Sequence, residues 1–429
     1  MRQGPWLAGA AAVLLLAAAG CGAPSATKSP GPDRRSPAGW ELAVVRNGDI
    51  FLVTKPAGPA ARLTDGLHAS DPRFSADGRY IAFLDGGLAA PSSQDRLGVV
   101  GADGKGLRLL KLPQTIQPQD FAWNPKRDIL AVWGGSLAML RPGDSPQVVV
   151  RPKGTVSTFA WAPDGQGYAY TVTPPTEDFP NATDKLYAVA DKAPGNLLVT
   201  SPNYSGLELQ GYWPNGQGLL YWVDPLHSAS LAADGLGLES LSLAGGQPKN
   251  LATTLPYPSW VQPGGQTSVV LVAGPGRQTW TQKQLERCDP ATGSCAALNT
   301  GAGQVALDPA GTASGNIAWV TATDLGGSGW GEVSSQAGLT KWQGTRTLYV
   351  GFDGKGAQEA KLVAKGDVYD PQFSPDGRSL LYVQANELKL WRSGRGAETL
   401  ADLPQGQVTD YYGFRSYSQF AWYPGRAGN

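Results

Sequence analysis

Short apolar or alternating runs recur along the whole chain, each bounded by Gly, Pro, Asn or Asp: "YIAFL", "ILAVW", "GYAYTV", "LLYWV", "SVVLVA", "NIAWVT" and "LLYVQ". Runs this short, rich in β-branched and aromatic residues and punctuated by turn formers, predict strands rather than helices. Each follows one copy of a turn motif that reads "RFSADG", "AWNPKR", "AWAPDG", "GYWPNG", "SWVQPGG", "ALDPAG" and "QFSPDG", with an eighth copy, "AWYPG", near the end. Aligned, the copies place the turn position at Ala76, Pro125, Pro163, Pro214, Pro263, Pro309, Pro375 and Pro424. Two residues earlier stand Phe74, Trp123, Trp161, Tyr212, Val261, Leu307, Phe373 and Trp422, all apolar, as a buried strand position requires.

The unit returns about every 50 residues. Segments such as "LGVVGADGKGLRLLKL", "KLYAVADKAPGNLLVT", "LESLSLAGGQPKNLA" and "TLYVGFDGKGAQEAKLV" supply a third and a fourth strand, so each unit predicts a four-stranded antiparallel meander. That period and strand count define a β-propeller, whereas a solenoid would need shorter units. The ends complement each other: residues 418–429 hold one strand and a turn, and residues 40–64, "WELAVVRNGDIFLVTKPAGPAARLT", hold the three strands such a unit still lacks. One blade shared between the termini closes the ring without an open edge. The expected fold is all-β, a single propeller over residues 40–429 with eight blades, or seven if the copy at Pro263 or Pro309 is misread.

The stretches "DPRFSADGRYIAF", "STFAWAPDGQGYAY" and "DPQFSPDGRSLLYV" resemble the WD40-like, or PD40, repeats of TolB-type propellers, and the resemblance covers nearly all of residues 40–429. It implies the fold. It implies little about function, because the motif residues form the turn between inner strands and carry no chemistry. The chain departs from TolB itself in lacking room for a small α/β domain before the propeller and in having extra blades, so TolB's partners are not carried over.

Composition agrees with this pattern: 57 Gly, 34 Pro and 14 Trp beside 16% charged residues and 2 Met leave few good helix formers. With 35 basic and 35 acidic residues the formal net charge is zero, and no basic stripe points to nucleic acid. Arg2, the apolar run Leu7 to Ala19 and the small residues before Cys21 read as a bacterial export signal over residues 1–20. The order Ala18-Ala19-Gly20-Cys21 resembles a lipobox, with Ala where Leu is preferred, and would make Cys21 the lipidated (diacylglyceryl, palmitate-bearing) new N-terminus. A plain signal peptide is the alternative. Residues 21–39, rich in Pro, Ser and Gly, read as a tether, which places the domain outside the cytoplasm on a bacterial membrane. Gly22 is compatible with onward transfer to an outer membrane, where one exists. Cys288 and Cys295 flank an Asp-Pro…Thr-Gly turn and are expected to form a disulfide across a hairpin; with 2 His in the chain, a metal site lacks ligands and no cofactor is expected.

Loop lengths separate the two faces. First and third turns are tight, but second loops are long at 85–96, 173–185, 224–237, 274–283 and 323–346, and these open on the same face as the connections between blades. Long loops on a rigid scaffold are where binding groups collect. Candidate ligand-binding residues there are His68, His227, Trp330, Trp342, Tyr411, Tyr412 and Arg415, the aromatics being able to stack on a sugar or grip a peptide or simply to pack beneath their own loops. "DPLHSASLAADG" clusters Asp224, His227, Ser228 and Asp234 without a nucleophile elbow, and reads as a polar loop. "NAT" at 181 matches a glycosylation acceptor, idle in a bacterial chain.

These features favour a membrane-anchored, non-catalytic display module for an envelope protein or glycan. The alternative is a glycan lyase or hydrolase using His68, His227, Glu177, Asp178, Asp224 and Asp234, and the orphaned gating propeller of a peptidase ranks third.

Overall fold

The computed structural model describes residues 40–423 apart from 57, 87–95, 179–182, 191–192, 203, 328, 353–358, 375, 404–408 and 417–418, with the side chains of 409–411 and 415–416 also outside the description. The export signal, Cys21 and the tether expected over residues 1–39 lie outside the described residues, as does the Asn181 acceptor.

Within the domain the short apolar runs pair as antiparallel meanders. In blade 1, Phe420–Tyr423 pairs with Glu41–Arg46, which pairs with Asp49–Val53 and then Ala61–Arg62. Blade 2 is Ala69–Phe74, Tyr80–Asp85, Arg96–Gly101 and Arg108–Leu109; blade 4 is Thr155–Trp161, Tyr168–Thr173, Lys185–Val189 and Asn196–Thr200. Blade 5 holds Gly206–Tyr212, Gly218–Asp224, Leu236–Ser242 and Lys249–Thr254, and blade 6 Val261–Pro263, Val269–Ala273, Gln284–Asp289 and Ser294–Ala297. Blade 7 follows with Gln304–Gly311, Ile317–Thr323, Thr347–Gly351 and Lys361–Lys365, and blade 8 with Val368–Phe373, Ser379–Gln384, Glu387–Arg392 and Gly396–Asp402.

Blade 3 is built differently. Ile116–Trp123 pairs with the first half of a long strand, Leu130–Leu140, whose second half pairs with Gln147–Val150. Gly134 and Gly135, at φ 127° and 85°, divide the two halves, which stand where second and third strands stand elsewhere. A Cβ on either glycine would collide with the backbone of Gln117 or Thr115, so only glycine fits. Like blades 1 and 8, where two residues join the second strand to the third, this blade has no long second loop.

Alternation of side chains closes the ring. In Glu41–Arg46, Leu42 and Val44 pack on Leu381 and Leu390 of blade 8, while Ala43 and Val45 pack on Ile81 and Phe83 of blade 2. Equivalent buried clusters join blades 2 and 3 (Val99, Phe121, Val132), 3 and 4 (Trp133, Phe159, Tyr170), 4 and 5 (Leu186, Leu207, Tyr221), and 5 and 6 (Trp222, Leu238, Leu271). One larger cluster spans blades 6, 7 and 8 through Val270, Trp319 and Tyr382. Eight blades therefore each bury both faces of their central strands, at about 1.5–3 kcal/mol per large side chain.

The repeat motif acts as structural punctuation. In blade 2, Ser75 Oγ donates to Asp77 Oδ1 (2.8 Å), which also accepts from Arg79 N (2.9 Å); in blade 8, Ser374, Asp376 and Arg378 repeat the pattern at 2.6 and 3.0 Å. The aromatic column is more than apolar filling: Trp123 Nε1 donates to Arg73 O and Trp161 Nε1 to Ala122 O, each reaching the inner strand of the preceding blade (2.9 and 3.1 Å). Two copies are out of register: in blade 6 Gly264 N donates to Ser268 O, so Gly265 holds the turn position and Pro263 ends the inner strand opposite Val269. In blade 7 the turn closes through Thr312 N to Asn316 O and Gly315 N to Thr312 O, so Ala313, four residues beyond Pro309, holds the turn position. Asp308-Pro309 instead matches Asp71-Pro72 and Asp370-Pro371, where each aspartate sits at positive φ (41°, 49° and 53°) beside a bulge in the inner strand. Val261 and Leu307 accordingly do not belong to the aromatic column.

Cys288 and Cys295 face each other across neighbouring strands with sulfurs 1.97 Å apart. Glu286 lies beside them, but sulfurs joined in a disulfide offer no thiolate to a metal.

Candidate functional site

On the face of the second loops, three blades and one strap meet. The strap is the hairpin Thr409–Tyr411 and Phe414–Ser416 in the connection from blade 8 to blade 1. Its tip passes over blade 7 to reach blade 6: Thr279 donates to Tyr412 O through N (3.1 Å) and Oγ1 (2.9 Å), and Arg346 donates to Gly413 O. Phe414 stacks on Tyr257 at 4.0 Å. Gly413 is required there, at φ 81°, because a Cβ would lie 2.9 Å from the Trp342 ring and closer still to Thr279.

The strap completes an aromatic cluster. Trp280, 3% exposed, sits 5.8 Å from Trp330, 6.3 Å from Trp342 and 6.4 Å from Tyr412; Trp330 and Tyr412 are 5.7 Å apart and nearly parallel. Trp342 is buried, donates Nε1 to Thr323 O, and stands against Arg346, so it serves as the floor. Trp330 is 54% exposed and presents an open indole. Arg277 lies 5.7 Å from the Tyr412 ring while its fork grips Asp234 (2.7 and 2.8 Å). The long insertion proves helical, Trp330–Val333 and Gln336–Gln343, with Ser335 Oγ capping the second helix through Gly338 N.

A second constellation joins blades 4 and 5. His227, at φ 48°, places Nε2 3.2 Å from Asp184 Oδ1, with the Tyr204 ring 5.2 Å away. Asp184 Oδ2 accepts from Thr173 Oγ1 (3.0 Å) and Leu207 N (3.1 Å), and Thr173 in turn accepts from Ser157 (2.7 Å). Burial pushes the Asp184 carboxyl upward; Leu207 N, His227 and Thr173 oppose this, and Asp224 adds to it. Burial likewise raises Asp224 and Glu208, the latter also through Asp224 and Asp184. Carboxylates crowded in low dielectric resist ionising together.

Inner strands also bear acids. Arg73 bridges Asp71 and Asp120 (2.6 and 2.8 Å). Asp370, raised to about 7 by burial and by neighbouring Asp308, accepts from Gln372 Nε2 at 3.2 Å.

Of the residues singled out in the sequence, Trp330, Trp342 and Tyr412 come together. His227 stands apart with Asp184, and His68 is exposed, its backbone N donating to Asp85 (2.8 Å). The side chains of Tyr411 and Arg415 lie outside the described residues. Grouping His227 with nearby loop carboxylates fails for two of them: Asp234 pairs with Arg277, and Asp178 with Lys153 (2.8 Å). Trp280, Arg277 and Asp184 were missed, although all three lie in second loops flagged by length.

No family model and no curated protein matches the sequence. Among solved structures the fold is similar to dipeptidyl peptidase 4 of Porphyromonas gingivalis, at 13% identity and TM-score 0.55, covering 86% of this chain and 59% of that one. Acylaminoacyl peptidase of Pyrococcus horikoshii matches at 12% identity and TM-score 0.47 (78% and 52% covered), and the β-propeller domain of the Trilobed protease from Pyrococcus furiosus at 11% and 0.45 (79% and 98%). The chain spans 52% of the acylaminoacyl peptidases it resembles. At these identities the likeness establishes the β-propeller fold. It also corrects the functional expectation: similar propellers occur within peptidases, and the non-catalytic display module for a protein or envelope glycan is set aside, together with its glycan-cleaving alternative. The repeat could not have warned of this, because its conspicuous residues make turns.

Proposed function

We propose that this protein takes part in peptide hydrolysis, its propeller selecting and holding the peptide on the strapped face. The observation that carries the reading is the open Trp330 indole, backed by Trp280 and Tyr412 at 5.8 and 5.7 Å on a fold that is also found within a peptidase. A flat aromatic platform takes an apolar peptide side chain at low entropic cost, and the carboxylates Asp184, Asp224 and Glu208 on neighbouring loops and strands suit cationic groups of the same chain. The finer assignment of the repeats to the TolB-like PD40 type, and attachment to a bacterial membrane through a lipid on Cys21, belong to the same proposal.

The test is incubation of the full-length protein with a defined pool of short peptides, followed by mass spectrometry of the retained and cleaved species. Selective cleavage or saturable retention of peptides with large apolar residues is expected. Trp330→Ala should weaken that selection about ten-fold without lowering the melting temperature, since the ring is half exposed. A pool that emerges uncut and unretained would sink the reading.

A further inference from the structure

On the second-loop face but between blades 3 and 4, a cavity of about 600 Å³ is lined in part by Pro174, Asp178 and Thr183 of blade 4's second loop. One side of its wall is apolar: Val149 and Val150 from the outermost strand of blade 3, Val172 from blade 4, and the parallel ring pair Tyr170 and Tyr187, 5.2 Å apart and 12° from coplanar. The Tyr170 hydroxyl is committed to Pro194 O at 2.8 Å, which fixes that wall. Three cations, Arg151, Lys153 and Lys185, and one acid, Asp178, line the same space.

The charges are not balanced. Lys153 and Asp178 neutralise each other at 2.8 Å. Arg151 and Lys185, both exposed, have no side-chain partner among the described residues, which leaves two positive charges over a cavity with one apolar, aromatic wall. Isolated cations at such a mouth attract an anion, and an anion alone would leave the walls unused.

We infer that this cavity is a binding site for a carboxylate joined to an apolar or aromatic group. The carboxylate sits between Arg151 and Lys185, and the apolar group lies along Val172 and the tyrosine pair. Two sources share that chemistry: the C-terminal residue of a peptide and a free aromatic acid. The site is separate from the Trp330 platform and does not depend on the peptidase reading.

Isothermal titration of the full-length protein tests it with three probes: a tripeptide acid ending in Phe, the same tripeptide as its C-terminal amide, and 3-phenylpropionate. The tripeptide acid or 3-phenylpropionate should bind, and the tighter of the two identifies the source; the amide should bind at least about ten-fold more weakly, as loss of a charge-assisted contact implies. Added salt should weaken the acids and leave the amide unchanged. The double variant Arg151→Gln, Lys185→Gln, confined to exposed side chains, should lose the preference for acid over amide while keeping its melting temperature. Equal binding of acid and amide, no binding by any probe at millimolar concentration, or an unchanged preference in the double variant would each overturn the assignment.

Discussion

Asp71, Asp308 and Asp370 adopt a left-handed backbone that a β-branched residue would resist, and each does so beside a bulge in the innermost strand of its blade. Burial pushes the Asp370 carboxyl up to about 7, with Gln372 opposing the rise and neighbouring Asp308 adding to it. Since the folded chain then binds a proton that the unfolded chain has released, stability at this residue is full at pH 4 and below and falls as the pH rises towards 7. Asp370→Asn keeps the acceptor for Gln372 and removes the titration, so it should flatten that fall and raise stability at pH 8 by on the order of 2 kcal/mol relative to the parent chain. Chemical denaturation at pH 5 and pH 8 checks it; parallel pH profiles for the two proteins would refute a raised Asp370 carboxyl. These aspartates also show where reading the sequence failed. Aligning on proline alone matched Pro309 to the turn, whereas the backbone matches the whole Asp-Pro step to the bulge and leaves Ala313 in the turn. Proline fixes its own φ in either place, so the residue by itself cannot tell a turn from a bulge.

At the level of elements, the strap is held by contacts that converge on three residues, Tyr412, Gly413 and Phe414. Gly413→Ala combines a strained φ with a collision against Thr279 and Trp342, and about 1–2 kcal/mol of strain from the left-handed backbone alone should lift the tip. Tryptophan emission should shift to the red as Trp280 and Trp342 meet water. An unchanged spectrum would mean that the strap does not cover them. Loop length was enough to pick out Trp330, Trp342 and Tyr412, because insertions on one face of a rigid scaffold have nowhere else to go. It was not enough to pair His227 with Asp184: the two sit on loops of different blades, and nearness along the chain pointed instead to Asp224, Ser228 and Asp234. Nor did composition foretell two helices in a Gly-rich insertion, where Ser335 supplies the cap.

For the whole molecule, the blade count was legible because the two ends complement each other: one strand near Trp422 and three after Trp40 make a single blade, and Leu42 pairs with Trp422 in the structure. Ending the chain before residue 418 would strip Glu41–Arg46 of one of its two partners, Phe420–Tyr423, and uncover an edge, losing Phe420 burial of about 2–3 kcal/mol as well. Such a truncation should unfold at lower temperature and associate through the bared strand, visible as larger species in size-exclusion chromatography; a monomer of unchanged melting temperature would argue against the clasp. The clasp also has a meaning in time. During synthesis, Glu41–Arg46 emerges early and must wait for roughly 370 further residues, roughly 20–70 s of elongation, before its partner exists. Blades 2 to 8 can stack one upon another as they appear, but the ring becomes a ring only with the last strand, so every released chain has passed through an open arc whose final act of folding is to join its own beginning.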